Sequence, residues 1–377
     1  MATRHKYKEL DALRWLAAFS VGMGHAFLCV MVDGNVPKIP HVLGTMLFNG
    51  AYAVDLFFVL SGFVLINATK SRGILAYLGF LARRALRIYP SAWMSLSIAV
   101  AALVIAHRLS GYHSSWVSPW IDSLLGVPAL NVLNVVGVLL LSNYAVNTTL
   151  WTIAIELAAS AAYPFFVPLV KSRKVALAIC LTIVAVIASK YIAGGMALCH
   201  VGHFLYMFMI GACLNFLRPI ETRKWRNFAI FASVGLMFCA RLYGQRHQFG
   251  SDIISVTGAA ILIAGIAFWC PPWLERFLSG NILGNLGRAS YSYYLINPSV
   301  TFVLVKGAQL LPFPGPADAI EYVAYCLTLG AVASALTVPL SLVSARYIEN
   351  ASINLGRAVE KRILSGRREG QDSSVPS

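Results

Sequence analysis

Apolar runs of roughly 20 residues, following one another along nearly the whole chain, constrain this sequence more than any other feature. They lie near 10–31, 47–68, 87–107, 150–170, 174–192, 201–218, 227–243, 252–270, 284–306 and 322–345. At 1.5 Å per residue, a helix of that length crosses the ~30 Å of hydrocarbon in a bilayer. Across the 377 residues, 58% are hydrophobic and only 12% are charged. A water-soluble domain could not cover so much apolar surface, and a disordered chain needs the opposite composition. Lipid offers the backbone no hydrogen bonds, so each run must satisfy its own as a helix. The expected fold class is therefore all-α: a polytopic membrane protein of about ten transmembrane helices. The run 129–146 is short and carries Asn131, Asn134 and Asn143, which suits a re-entrant or surface helix better than a span.

Charge position sets the expected orientation. With the N-terminus inside, 23 of the 30 Lys and Arg fall on the inner side. Six fall outside (Lys38, Arg108, Lys190, Arg241, Arg246 and Lys306), and Arg14 lies within the first span. Excess Lys and Arg marks the cytoplasmic face, so the chain is expected N-in and C-in with an even number of spans. This also accounts for the net charge of +15 without a nucleic-acid partner. Residues 1–345 then form a transmembrane domain and 346–377 a cytoplasmic tail expected to be largely disordered, as its polar end SGRREGQDSSVPS indicates. The first apolar run contains Asp11, Arg14 and His25, so it reads as a retained span and not as a cleaved leader. The seven cysteines are scattered with no CxxC pair, and His200 and His203 have no carboxylate near them in sequence; no metal site is expected.

Charged groups inside a membrane need a partner, a wet cavity or a chemical task. Arg14 and His25 are eleven residues apart, three helical turns plus ~20°, so they share one face about 16 Å apart along the axis. Asp11 lies near that face, one turn before Arg14. Asp55, in GAYAVDLFFVLSGF, sits in the second span; it reads either as a functional carboxylate or as a buried partner for Arg14 or another cation. Ser61 and Gly62 follow it, small enough for a close helix approach. Arg83, Arg84 and Arg87, in LARRALRIYP ahead of Pro90, are helical neighbours at a membrane edge. They suit phosphate oxygens, or lipid headgroups and topology alone. In LWTIAIEL, Trp151 and Glu156 open the fourth span, with Glu156 a candidate counter-charge for an arginine. Glu349 reads as a solvated charge. The long connection 108–149 holds Tyr112, His113, Trp116, Trp120 and Asp122, which suits a lid, a sugar-facing surface or an interfacial aromatic belt.

At these residues the chain resembles the acyltransferase-3 family of integral-membrane acyltransferases, which modify bacterial surface sugars and some small molecules. Arg14, ten residues and His25 resemble its first-helix signature. GAYAVDLFFVLSGFVL, RRALRIYP and LWTIAIEL are similar to its next three motifs, and LGRASYSYYLIN at 286–297 is similar to its late Ser-Tyr helix. Asn297 stands where members often have His, and Glu349 lacks the Pro that often follows it. The resemblance implies a multi-pass protein of the bacterial inner membrane that moves an acyl group, acetyl first among them, from cytoplasmic acyl-CoA to a carbohydrate or lipid-linked sugar hydroxyl. It implies a catalytic group of His25, Arg14, Glu156 and Asp55, and a donor site of Arg83, Arg84, Arg87 and Trp151. His25 would act as a base or as a covalent acyl relay. Asp55 and Glu156 would hold arginines in place. Besides the acceptor, membrane lipids are the expected partners.

Buried Asp, Glu, Arg and His also suit a proton-coupled transporter or a polysaccharide exporter, although no matched pair of broken helices is visible. A non-catalytic scaffold for a polysaccharide synthase would tolerate loss of His25 and Arg14.

Overall fold

The computed structural model describes residues 8–32, 34–66, 73–108, 114–127, 131–141, 143–170, 199–217, 222–243, 249–311 and 314–372, with single helical residues at 177, 180 and 184. Among them every extended element is helical, apart from isolated bridges joining Val30 to Val117 and Val32 to Asn35. The helices are α1 (Lys8–Cys29), α2 (Lys38–Leu47), α3 (Gly50–Leu65), α4 (Ile74–Arg108), α5 (Val132–Leu139), α6 (Leu150–Val170) and α7 (Cys199–Cys213). They continue as α8 (Arg223–Tyr243), α9 (Phe249–Trp269), α10 (Pro272–Leu278), α11 (Asn281–Ala308), α12 (Ala319–Ser344) and α13 (Asn350–Asp372). Each expected apolar run coincides with a helix except 174–192, which lies almost entirely outside the described residues. Among the described residues, five stretches are long and apolar enough to cross a membrane: Lys8–Cys29, Lys38–Leu65, Ile74–Arg108, Gly250–Trp269 and Ala319–Ser365. The protein is thus an all-helical, multi-pass membrane chain.

The helices group into two units. The first comprises residues up to Phe57, Ala92–Thr152 and Pro219–Ala345. Its central element is α1, which packs on α11 and α12 and buries residues around most of its circumference. Trp15 meets Tyr293 edge-on at 4.7 Å between ring centroids. A Cβ on Gly287 would lie 2.6 Å from the Asp11 carbonyl, so only a glycine lets α11 approach α1 this closely. Behind this contact, Tyr293 OH and Ser334 Oγ share a hydrogen bond at 2.8 Å, and Asn297 reaches towards Tyr293 OH and Thr337 Oγ1. In the same unit α8 packs along α9. The segment 131–139 is no span: Asn131 caps an eight-residue helix, α5, none of whose residues is buried.

The second unit comprises Phe58–Ser91, Ile153–Arg218 and the chain from Arg346 onward. Here the C-terminal half of α3 crosses α7 through two glycines. A Cβ on Gly62 would overlap the Phe208 carbonyl, and one on Gly211 would overlap the Val59 carbonyl. The expected disorder after residue 345 is corrected in this unit. A π-helical turn, Ala345–Glu349, leads into α13. The polar composition hides a helical stripe: Ser352 and Gly356 are buried and Val359 and Ile363 half-buried, while Arg357, Lys361 and Arg362 are exposed. Glu360 pairs with Arg83 of α4 at 2.8 Å, and Gly356 lies against the Arg83 backbone. Glu349 is also buried, against the expectation of a solvated charge.

Candidate active site

The polar stripe of α1 is present as the spacing predicts. Arg14 Nη1 donates to Asp11 Oδ1 at 3.2 Å across one turn, and both side chains are partly exposed. About 16 Å further along the axis, by 1.5 Å per residue, His25 is half-buried. That separation is more than the two side chains together span, so they do not touch each other.

What surrounds His25 is set by the chain that returns to α1. Ser118 N donates to Cys29 O at 2.8 Å, and Met31 N donates to Trp116 O at 2.7 Å. These bonds fasten residues 116–118 to the end of α1. Ser118 Oγ then caps a 3₁₀ turn, Pro119–Ser123, by accepting from Trp120 N. The turn is held at its far side by Lys306 Nζ on Asp122 Oδ1 at 2.8 Å. The outcome is that Trp120 lies beside His25, with ring centroids 5.7 Å apart and planes at 38°. Leu28, one turn beyond His25, lines a cavity of about 420 Å³ together with Val36, Lys38, His41, Val42, Ser118 and Trp120. An apolar lining with a few polar groups is the usual make-up of a small-molecule site.

Asp55 is fully buried on α3, where it faces Asp252 and Ser255 of α9. The expectation that it serves as a counter-charge for an arginine is not met. The carboxylate bonded to Arg14 is Asp11, and no cation stands beside Asp55 among the described residues. The sequence placed Asp55 inside the second span but carried no information on what it meets there.

The arginine run lies in the second unit. It sits on a helix, not in a loop: α4 runs unbroken through Pro90 for 35 residues. Arg84 Nη2 donates to Glu156 Oε1 of α6 at 2.6 Å, so Glu156 is the arginine partner its sequence position suggested. Arg83 is engaged by Glu360. Arg87 is exposed and makes no ion pair among the described residues. Two of the three guanidiniums in this run are thus bonded to carboxylates. Trp151, at the start of α6, is half-buried and belongs to the first unit.

Among the described residues no three His, Cys, Asp or Glu side chains converge on a metal-sized site; the His200 and His203 side chains lie outside them.

An acyltransferase domain model of the acyltransferase-3 type matches residues 7–343, most of the chain. The chain belongs to the acyltransferase-3 family. Acyltransferase MdmB from Streptomyces mycarofaciens is 27% identical to it over 318 residues, covering 77% of each chain. No solved structure matches. Membership makes this protein an acyltransferase enzyme and sets aside the transporter and scaffold readings.

Nothing in the acyltransferase sequence singles out His41, which lines this cavity. It sits in α2, a helix too short to read as a span, and its only signal was a shared helical face with Thr45, four residues on. Trp120 was visible as part of an aromatic connection, but its seat beside His25 depends on backbone bonds that no motif encodes.

Proposed function

We propose that the protein is an O-acyltransferase of the bacterial inner membrane that moves an acyl group, acetyl first, from cytoplasmic acyl-CoA to a hydroxyl of a carbohydrate acceptor. The observation that carries this reading is the His25 ring, on the same face of a buried helix as Arg14 and set against Trp120 next to the 420 Å³ cavity. An imidazole in that position is the group with the chemistry to move a proton near neutral pH.

In this reading Arg87 and its neighbours attract the phosphates of acyl-CoA, since guanidinium forks suit phosphate oxygens. Within the first unit, Arg14 guides the pantetheine arm along the polar face of α1. At His25 the acceptor oxygen attacks the thioester carbon as the neutral imidazole takes the hydroxyl proton. The C–S bond breaks, CoA leaves as thiolate and is protonated from water, and the imidazolium returns its proton to water. Glu156 fixes Arg84 and stays out of the chemistry.

The test is labelled-acetyl transfer from acetyl-CoA in membranes carrying wild type or His25→Ala. General-base loss predicts a fall of about 10²–10⁴-fold with unchanged membrane insertion. Normal turnover by His25→Ala would refute the assignment.

A further inference from the structure

We infer that Trp120 is the positioning residue for His25, and that the Lys306–Asp122 ion pair acts on the transfer step through it. This rests on the acyl-transfer reading above and supplies what holds the reacting imidazole in line.

The indole sits on a turn that is fastened at both ends, all within the first unit. Before it, the backbone of Trp116 and Ser118 is bonded to Met31 and Cys29 at the end of α1, and the Trp116 side chain fills the space that a Cβ on Gly315 would need. After it, Ile121 and Leu124 are buried, Thr148 N donates to Leu124 O at 3.2 Å, and Gly126 N donates to Ala145 O at 2.8 Å. Pro119, at the start of the turn, restricts its own φ. Asp122 faces outward, two residues from Trp120. Lys306 of α11 meets it at 2.8 Å, with the ammonium 5.7 Å from the Phe302 ring centroid. The Asp122 side chain is 67% exposed, so the pair adds little to the stability of the fold. Its loss therefore disturbs the turn without unfolding the protein.

His25 is half-buried on α1, its ring 5.7 Å from the indole between centroids and tilted by 38°. An imidazole turning about its Cβ–Cγ bond drives its edge towards that indole, which the anchored turn does not let retreat. Trp120 also lines the cavity of about 420 Å³, so one side chain both limits the rotation of the imidazole and borders the space beside it. A base takes a proton only along a short, aligned path, and a misplacement of about 1 Å costs up to about 10²-fold in rate. Loss of the indole is therefore read in kcat and not in the affinity for the donor.

The experiment has two arms, both on the full chain in membranes. One measures labelled-acetyl transfer at varied acetyl-CoA. The other measures how fast diethyl pyrocarbonate modifies His25, read by peptide mass spectrometry, which needs no turnover. Trp120→Ala is expected to lower kcat about tenfold or more, to keep the KM for acetyl-CoA within about twofold, and to speed His25 modification several-fold. Trp120→Phe, which returns a ring to the same place, is expected to recover about a third or more of the wild-type kcat. Asp122→Lys or Lys306→Glu alone is expected to lower kcat about two- to fivefold, and the two together to restore it, with the thermal midpoint unchanged. Wild-type kcat or an unchanged His25 modification rate in Trp120→Ala overturns the positioning role. Single reversals without effect, or a double reversal no better than either single, overturn the role of the ion pair. Wild type that transfers no acetyl takes down the acyl-transfer reading and this one with it.

Discussion

Arg84 and Arg87 lie one turn apart on α4, yet the structure gives them different expected behaviour. Arg84 is bonded to Glu156 at 2.6 Å with both side chains largely buried. Replacing it with Ala strands a carboxylate, at a cost of roughly 1–3 kcal/mol, and lowers the thermal midpoint. Arg87 is exposed and engages no carboxylate among the described residues. Arg87→Ala is expected to leave the midpoint unchanged and to raise the KM for acyl-CoA several-fold with little change in kcat. If only acceptor use suffers, donor docking at this run is wrong. Asp55 separates in the same manner. It faces a second carboxyl, Asp252, within an apolar bundle. Asp55→Asn removes like charge and keeps the shape, so the purified variant should melt at or above the wild-type temperature. A direct chemical role instead predicts a large loss of turnover with the same midpoint; transfer assays on that variant decide between them.

At the scale of helices, the crossing of α3 and α7 is the contact most sensitive to a single side chain. Gly62 and Gly211 let each backbone meet the other's carbonyl, and a Cβ at either would overlap it. Gly62→Leu cannot be relieved by a rotamer change because the obstacle is backbone. It is expected to destabilise by about 1–3 kcal/mol or more, read as loss of monodisperse protein on gel filtration. Gly235, whose added Cβ meets nothing, is the control: Gly235→Ala should be tolerated. The spacing of small residues in LSGF indicated a close approach, but the partner helix was not legible. Nothing in one sequence says that the glycine of FMIGAC is the matching half. The helix α13 was misjudged for a related reason. Its stripe of Ser352, Gly356, Val359 and Ile363 is weakly apolar, and what orders it is Glu360 on Arg83, a pairing between residues far apart in the chain.

For the whole molecule, the charge count supports a topology that labelling can check. In a cysteine-free background, single cysteines at Lys38 and Lys306 should react in intact cells with a membrane-impermeant maleimide. Cysteines at Arg357 and Lys361 should react only after the membrane is opened. Labelling of the two pairs from the same side would rule out the ten-span, N-in and C-in arrangement. The sequence by itself determined that this chain folds in lipid as helices, because apolar length and the lack of water leave the backbone no alternative. It also determined that Arg14 and His25 share a face, since helical pitch is a local property. Only the tertiary structure decided what each polar side chain meets: Trp120 for His25, Asp252 for Asp55, Glu156 for Arg84, and the Phe27 carbonyl for His41. Those choices depend on which helices become neighbours and in what rotation, and that is fixed by packing summed over many residues and not by the spacing of any motif.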